Sequence, residues 1–270
     1  LALGQDDADR ADLRRLVGER EIGVAELAGF GIDDQVLADA PLLTRIVNLL
    51  AWSGPGSMGQ GLIGHLLAAT DSDISVALAV GTSLRILRED RANQGQRRFR
   101  MHRLIQEVRR IEVPLSSQRT VVETTVRRLG EWFEARRKEF TNLLAFEAET
   151  DNLAHWQKNA TQCGFFLSSA RLLWLQGYPA FHRGNFSESS RVLEEALHLL
   201  DNTPEQDLRL RADLLSDLAT LSVRLGQPER NLHLNRGALA IRTSLFDRKH
   251  EDVAWSLSAL GIAKTQEGEP

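Results

Sequence analysis

The feature that most constrains this chain is a regular spacing of glycines in its C-terminal third. Gly184, Gly226 and Gly268 follow one another at intervals of 42 residues, with a leucine eleven residues before each glycine and a small residue seven before it. Repeats of this length are typical of stacked helical hairpins, in which each hairpin buries its apolar face only against its neighbours. Such arrays present an extended surface to other macromolecules, so the period predicts recognition rather than catalysis.

Composition places the chain among ordinary globular proteins, with 42% hydrophobic and 26% charged residues in a length of 270. The single cysteine, Cys163, excludes an internal disulfide and fits a reducing compartment. No apolar run approaches the roughly 20 residues of a membrane span, and no signal peptide precedes the acidic start. We therefore expect a cytoplasmic protein without a membrane partner.

Charge is distributed unevenly, although the formal net charge is only -4. Residues 1–40 contain ten acidic residues and four arginines, whereas residues 85–110 contain nine arginines and three acidic residues. The basic segment has three possible interpretations. It forms a solvent-exposed face, it docks onto the acidic N-terminal segment, or it contacts nucleic acid. The chain also opens on Leu1 rather than Met and stops just after Gly268, so we expect a piece of a longer protein.

Hydrophobic periodicity predicts a mainly α-helical chain in four parts. We expect a helical lead-in over residues 1–40, a domain over 41–114, a helical connector over 115–164 and the repeats over 165–270. Within the domain, helices over 41–52, 62–69 and 74–84 are followed by a strand pair around a polar turn at 89–96, and then by a helix from residue 104. The glycine-rich residues 53–61 are predicted to form a loop. This order of elements is that of a winged-helix domain with the hairpin as its wing.

Beyond Pro114 the predicted structure is entirely helical. One helix is expected over 117–138 and another over 140–160, followed by two hairpins and the first helix of a third. The predicted helices of these repeats span 164–182, 187–200, 208–226, 229–246 and 251–267. Pro179 falls inside the first of them, where a proline costs about 3 kcal/mol and normally kinks the helix.

The repeats resemble tetratricopeptide repeats, and the segment ALAIRTSLFDRKHEDVAWSLSALG is similar to the long-helix variety found in kinesin light chain. The resemblance covers residues 165–270 and implies an α-solenoid. Gln176, Pro179 and Asn235 depart from the family pattern. The resemblance assigns helix-packing roles to Leu173, Gly177, Leu193, Ala196, Leu215, Leu218, Ala219, Ala238, Leu257, Leu260 and Gly261.

In the register of that family, the inner face of the solenoid binds a protein or a peptide. Aromatic residues and arginine are the usual anchors of such an interface. The alternative interpretation is that Trp174 and Phe181 simply pack against the preceding helices. The resemblance places on the inner face Arg171, Trp174, Tyr178, Phe181, Asp213, Thr220, Arg224, Trp255 and Ile262.

The N-terminal half carries a second resemblance. The segments RIVNLLAWSGPGSMGQGLIGHLL and FRMHRLIQEVRR, with the hairpin, look like the winged helix of bacterial STAND-type, NB-ARC-like signalling NTPases. FEAETDNLAHW resembles the stretch that joins such domains to their repeats. The resemblance implies an ATPase core before the winged helix and repeats that sense a trigger protein, with self-association on activation as a further option. ADP or ATP is then expected in the missing core, and no cofactor in this chain.

The sequence Met101-His102-Arg103 corresponds to the Met-His-Asp motif of that family. The resemblance implies that His102 contacts the phosphate of ADP in the resting state, provided that the core is present. Arg103 replaces the aspartate of the motif. Without the resemblance, His102 is interpreted as a histidine at the junction between a strand and a helix.

Catalysis by this chain is not expected. Residues 54–61, GPGSMGQG, have the glycine spacing of a phosphate-binding loop, but Gln60 replaces its lysine and Gly61 its hydroxyl residue. A loop between helices is therefore the preferred interpretation. The seven histidines show no spacing typical of metal ligands, and Cys163 has no flanking base.

A winged-helix transcription regulator is the main rival function, and a structural scaffold is another. The basic run at residues 96–100 would place the wing on DNA phosphates. The preceding helix, where bases would be read, carries SVALAV and offers no arginine, asparagine or glutamine to base edges. Nucleic acid is therefore not the expected partner.

Overall fold

A computed structural model describes residues 34–91, 96–112, 115–137, 143–204 and 207–267 of the chain. Over these residues the protein is mainly helical, with 13 helices and one small three-stranded antiparallel sheet, so the predicted mainly α class is confirmed. The chain divides into two compact units, one ending at Arg128 and the other beginning at Leu129. Most of the lead-in predicted over residues 1–40 lies outside the described residues, as does Gly268.

The first unit combines helices with the small sheet. In the second helix, α2 (Pro41–Ala51), Pro41 occupies the first turn, where its missing N–H costs no helical hydrogen bond. The buried residues of α2 include Leu43, Ile46, Val47 and Leu50, which contribute to the core of this unit. The elements are α1 (Asp34–Asp39), α2 (Pro41–Ala51), β1 (Met58–Gly59), α3 (Gln60–Leu67), α4 (Asp71–Ser83), β2 (Leu87–Arg91), β3 (Arg97–Met101), α5 (Arg103–Glu112) and the first part of α6 (Leu115–Arg137).

The sheet has the strand order β1-β3-β2, and both strand pairs are antiparallel. Met58 on β1 pairs with Phe99 on β3, and both side chains are completely buried. The strand β1 falls in the segment predicted as a loop, because two residues are too few to show the alternation that marks a strand. The sequence also placed the start of the turn too early, at residue 89. The strand β2 continues to Arg91, and Glu89 forms an ion pair with Arg97 on β3.

The second unit consists of helices that pack in sequence order. From α8 (Thr150–Gln162) onward each helix packs against the next, and α9 (Phe166–His182) also packs against α11 (Leu208–Arg224). The single helix predicted over 140–160 is instead two helices, α7 (Leu143–Ala148) and α8, which are separated at Glu149. The buried carboxylate of Glu149 accepts a hydrogen bond of 2.8 Å from the Asn152 side chain, a local contact that no apolar periodicity reveals. After the end of α6, the elements are α7 (Leu143–Ala148), α8 (Thr150–Gln162), α9 (Phe166–His182), α10 (Phe186–Asp201), α11 (Leu208–Arg224), α12 (Pro228–Leu245) and α13 (Glu251–Glu267).

Two of the regularly spaced glycines end helices in the same way. Gly184 and Gly226, just after α9 and α11, have φ angles of +78° and +70°. Each glycine N–H donates to the carbonyl three residues earlier, and the next N–H donates to the carbonyl five residues before it, at 2.8–3.1 Å. This left-handed turn favours glycine, which has no β-carbon. The 42-residue interval therefore marks the same turn in two successive helical hairpins.

Gly226→Ala is expected to lower the free energy of unfolding by about 1 kcal/mol, because the alanine β-carbon would be held in left-handed backbone. Gly261→Ala is the matched control, since Gly261 lies inside α13 with nothing but its own helix within 4 Å of the added carbon. Alanine is a better helix former than glycine, so the control should not lose stability. Chemical denaturation of both variants measures the difference, and equal effects would contradict the turn at Gly226.

The positions assigned to helix packing in the first two hairpins are buried, except Leu215, which is partly buried. A β-carbon on Gly177 would lie 2.0 Å from Cδ1 of Leu193, so the glycine lets α9 and α10 approach closely with Leu193 in its present position. The hydrophobic cluster that α9, α10 and α11 share includes Leu173, Leu193, Ala196, Leu218 and Ala219.

Two further expectations concern the ends of this helical series. α9 continues through Pro179 as far as His182, so the proline does not end the helix. In α13, Leu257 stands where Leu173 stands in α9, but it is 52% exposed. Within the described residues α13 packs mainly against α12, and it contacts α11 through the ion pair of Arg209 with Asp252 at 3.7 Å.

Candidate functional site

Aromatic side chains of α9 line a small cavity in the second unit. Trp174, Tyr178 and Phe181 are spaced four and three residues apart, which puts them on one face of the helix. Thr220 of α11 lines the same cavity, whose volume is about 120 Å³. We call this cavity the aromatic pocket. Its other lining residues are Arg137, Gly177, His182, Ser189, Leu193, Asp217 and Leu221.

The aromatic pocket brings together four of the nine residues predicted for the inner face. Trp174 and Phe181 are only partly exposed and pack against the hydrophobic cluster of the second unit. Each ring therefore packs against the core with part of its surface and lines the pocket with the rest. The packing interpretation agrees with these contacts, and the binding interpretation stays a prediction. Apolar cavities of about 150 Å³ accommodate a benzene molecule. The pocket is thus close to the size of one aromatic or branched aliphatic side chain.

An ion pair fixes the tryptophan of the pocket. Asp217 accepts hydrogen bonds at the same oxygen, Oδ2, from Nη2 of Arg137 at 2.5 Å and from Nε1 of Trp174 at 2.7 Å. The guanidinium carbon of Arg137 lies 4.1 Å from the centre of the Trp174 ring, a cation–π contact. Asp217 thus holds the edge of the Trp174 indole and Arg137 covers its face, while the charges of Arg137 and Asp217 neutralise each other. The pocket is therefore preorganised and carries no net charge at this ion pair.

The remaining polar groups of the pocket favour a neutral site. The Tyr178 ring lies 4.2 Å from the His182 ring and 5.1 Å from the Phe146 ring. Burial lowers the pKa of His182, and the nearby Arg137 lowers that pKa further, which favours the neutral form of this histidine. Burial raises the pKa of Tyr178, whose hydroxyl stays protonated. That hydroxyl makes no hydrogen bond with the described residues, so it is available to a ligand.

Sequence reasoning missed Arg137 and Asp217. Asp217 lies on α11 three residues before Thr220, so the helical face that predicted Thr220 also contains it. Arg137 ends α6, 80 residues before its partner, and no pattern in the sequence connects the two. Only the packing of the helices reveals this contact.

The other predicted inner-face residues lie outside the aromatic pocket. Arg171 forms ion pairs with Glu134 at 3.0 Å and with Asp207 at 3.6 Å. Asp213 accepts a hydrogen bond of 2.7 Å from Arg242 of α12. These two side chains therefore hold helices together. The remaining three predicted residues are exposed. Arg224 lies beside Phe186, and Trp255 and Ile262 on α13 are 71% and 58% exposed.

A scan of protein-family models and a search of curated proteins both find no match to this chain. Among the residues described by the structure, no cluster of histidine, cysteine, aspartate or glutamate is placed to hold a metal ion. No single described helix is both long and apolar enough to cross a membrane. The α3 and α4 helices meet that length and composition only as a pair, bent by 113°.

His102 lies in the first unit, between β3 and α5, with an exposed side chain. Its Nδ1 accepts a hydrogen bond of 3.3 Å from the N–H of Leu104, which places the ring at the start of α5. A cleft of about 510 Å³ opens beside it. Four arginines line this cleft together with His102, and we call it the arginine cleft. They are Arg85, Arg88, Arg100 and Arg103.

The glycine-rich segment at residues 53–61 is held in the fold of the first unit. Met58 and Gly59 are paired with β3, and Arg98 donates to the Ser57 hydroxyl at 3.2 Å. Gln60, which stands at the lysine position of a phosphate-binding loop, donates to the Ser75 hydroxyl at 2.8 Å. These contacts favour a structural connection between α2 and α3 over a nucleotide-binding loop.

Proposed function

We propose that this chain is the regulatory and sensor segment of a STAND-type signalling NTPase. In this proposal the second unit is a tetratricopeptide-repeat α-solenoid that recognises a trigger protein or peptide. The first unit is a winged helix that couples recognition to a nucleotide-binding core outside the chain. The chain itself performs no catalysis, and ADP or ATP belongs to that core.

The architecture of each unit supports this proposal. In the first unit, a helix, a short strand, two helices and a hairpin follow one another, and β1 joins the hairpin in one sheet. This is the order expected of a winged helix. In the second unit, paired helices are joined by left-handed glycine turns at the 42-residue interval. This is the arrangement expected of long tetratricopeptide repeats.

The observation that carries the recognition function is the aromatic pocket. Its walls are largely aromatic, its charged residues Arg137 and Asp217 are paired with each other, and its volume of about 120 Å³ fits one side chain. Interfaces obtain most of their binding energy from a few such anchors in preformed pockets. The ligand is therefore a peptide segment that inserts one aromatic or branched aliphatic side chain, with a polar group close enough to meet the Tyr178 hydroxyl.

The rival DNA-binding function has less support from the wing. Arg97 donates to both oxygens of Glu89, at 2.8 and 2.9 Å, and the buried Arg98 donates to Ser57. On α4, Val76 and Val80 are exposed where base-reading side chains would be needed. Arg97 and Arg98 of the wing are thus already occupied by the protein itself.

Trp174→Ala is expected to weaken binding of a selected peptide by about 30-fold, the effect of losing one interface anchor worth about 2 kcal/mol. Peptides are first selected from a random displayed library on the wild-type chain, and their dissociation constants are then measured by calorimetry. Thr220→Phe should have a comparable effect by filling the aromatic pocket, while leaving the contacts of Trp174 with Arg137 and Asp217 in place.

Leu245→Ala is the control, because Leu245 is exposed at the end of α12, does not line the aromatic pocket and is not among the predicted inner-face residues. It should change the affinity less than about threefold. Circular dichroism of each variant checks that the helices remain folded. Selected peptides that bind Trp174→Ala and Thr220→Phe as tightly as wild type would refute the pocket as the anchor site.

A further inference from the structure

The arginine cleft of the first unit has one sign of charge. It lies where the end of α4, the hairpin and the start of α5 meet, and five of its lining side chains are arginine or histidine. None of its lining residues is acidic, and the others, such as Ile86, Leu87 and Met101, are largely apolar. Clefts with charge of one sign and apolar walls concentrate ions of the opposite sign.

The acidic residues near the cleft do not balance its arginines. Asp90 is shared between Arg100, at 3.1 Å, and Arg88, at 4.0 Å. The strand register places Arg88 directly opposite Arg100, and like charges in that arrangement destabilise a sheet. Glu107 pairs with Arg103, whose side chain is 84% exposed, so water screens this contact. Four arginines thus face two carboxylates.

Arg85 is the most unusual residue of the cleft. It forms no ion pair with any residue that the structure describes. Its φ angle is +59°, and its N–H donates to the carbonyl of Thr82 at 3.0 Å in the turn that ends α4. Glycine is the usual residue in this left-handed turn because a β-carbon there costs stability. An arginine held in this conformation, at the edge of a basic cleft, indicates a functional use of its side chain.

Two further groups direct hydrogen-bond donors toward an anion. The α5 helix begins at the cleft, so its first N–H groups add partial positive charge there. His102 accepts the Leu104 N–H at Nδ1, so in the neutral ring the proton lies on Nε2, which makes no hydrogen bond with the described residues. The His102 ring therefore offers a donor beside the arginines.

We infer that the arginine cleft binds the oligophosphate group of a small molecule, with Arg85, Arg88 and Arg100 as the main donors. Guanidinium groups match phosphate oxygens in charge and geometry. The volume of about 510 Å³ exceeds what a single phosphate needs, and the arginines come from three separate elements around it. This inference goes beyond the proposed function because the site lies wholly within this chain and needs no nucleotide-binding core.

Duplex DNA is the less suitable occupant of the cleft. Binding to a duplex needs a row of cations along an open surface. The neighbouring wing arginines are not arranged in this way, since Arg97 is paired with Glu89 and Arg98 is buried beside Ser57. A compact cluster of phosphates fits a concave site better than an extended backbone does.

Calorimetric titration of the chain with inorganic tripolyphosphate and pyrophosphate tests the inference. We expect saturable binding to both at low salt, tighter for tripolyphosphate, with orthophosphate much weaker. Arg85→Gly should weaken tripolyphosphate binding at least about tenfold, the usual effect of losing one charged hydrogen bond. It should not lower the melting temperature, because glycine suits the left-handed turn.

A second variant and a control accompany this test. Arg88→Gln should also weaken tripolyphosphate binding. Arg183→Gln changes an exposed arginine outside the cleft and should alter that binding less than about twofold.

Several results would overturn the inference. These are the absence of saturable binding at low salt, equal affinity of wild type and Arg85→Gly, and tighter binding of random duplex DNA through the same arginines. His102→Ala measures the contribution of the histidine: tripolyphosphate binding that depends on Arg85 but not on His102 would support the cleft with the arginines as its donors. The sensor role of His102 concerns the nucleotide-binding core and is tested separately, by ADP retention in a longer chain that includes the core. Trp174→Ala should leave oligophosphate binding unchanged, so failure of the peptide pocket and failure of the cleft are distinguishable.

Discussion

Arg242→Ala is expected to destabilise the second unit by about 3 kcal/mol, the largest effect we predict for a single substitution. The Arg242 side chain is 7% exposed and donates to Asp213 Oδ1 and the Ser256 hydroxyl at 2.7 Å, and to the Ser216 hydroxyl at 2.9 Å. It thereby joins α11, α12 and α13. Alanine would leave the Asp213 carboxylate without its cation. The estimate stays at the lower end of the range for buried pairs because Asp213 remains 32% exposed.

The ion pair itself contributes less than its removal suggests. Burial raises the pKa of Asp213 even though Arg242 donates to it, so desolvation outweighs the attraction of the pair. Replacing both residues, as Arg242→Met with Asp213→Leu, should therefore recover stability to within about 1 kcal/mol of wild type. Urea denaturation of the single and double variants provides the comparison. A double variant as unstable as Arg242→Ala would contradict this explanation.

The pH dependence gives an independent check of the same contact. Without Arg242, the folded-state pKa of Asp213 should rise further above its unfolded value, because burial remains and the cation is gone. A carboxyl group with a raised pKa binds a proton more readily in the folded chain, so unfolding becomes harder as the pH falls through that pKa. The deficit of Arg242→Ala should therefore shrink between neutral and acidic pH. A deficit independent of pH would implicate the lost hydroxyl contacts instead.

Hydrophobic periodicity predicted most of the helices, because a long amphipathic segment repeats the helical period over several turns. The left-handed turns at Gly184 and Gly226 were predictable for another reason: only glycine adopts that conformation without strain. The break at Glu149 and the strand at Met58 and Gly59 were not predictable. Each depends on a few local contacts, one between Glu149 and Asn152 and one across the sheet to β3.

In the candidate sites too, contacts between residues close in the sequence were predictable, and contacts between residues far apart in the sequence were not. Trp174, Tyr178 and Phe181 could be placed on one face because a single helix carries them. The ion pair of Arg137 with Asp217 joins residues 80 apart, and its position depends on how the helices pack. The basic character of residues 85–110 was visible in the sequence, but the register of β2 and β3 is what sets Arg88 opposite Arg100. Composition thus revealed the charge, and only the fold revealed the cleft.

Gly177→Leu is expected to destabilise the second unit by about 2–3 kcal/mol through overpacking between α9 and α10. The first added carbon would lie 2.0 Å from Cδ1 of Leu193 and 3.5 Å from the Ser189 hydroxyl, inside a buried contact. Alanine should cost far less, because Leu193 can rotate away from one methyl group and the helix gains about 1 kcal/mol of propensity. Thermal and urea unfolding of the two variants measure how closely the helices must approach.

Gly261→Leu is the matched control because Gly261 occupies in α13 the place that Gly177 occupies in α9. Nothing but its own helix lies within 4 Å of its added carbon, and the nearby Leu257 is exposed. The leucine should therefore leave stability unchanged or raise it slightly through helix propensity. A loss as large as that of Gly177→Leu would mean that another surface covers this face of α13 in solution. Repeating the measurement at several protein concentrations would then identify self-association, since only a surface supplied by a second copy makes the loss depend on concentration.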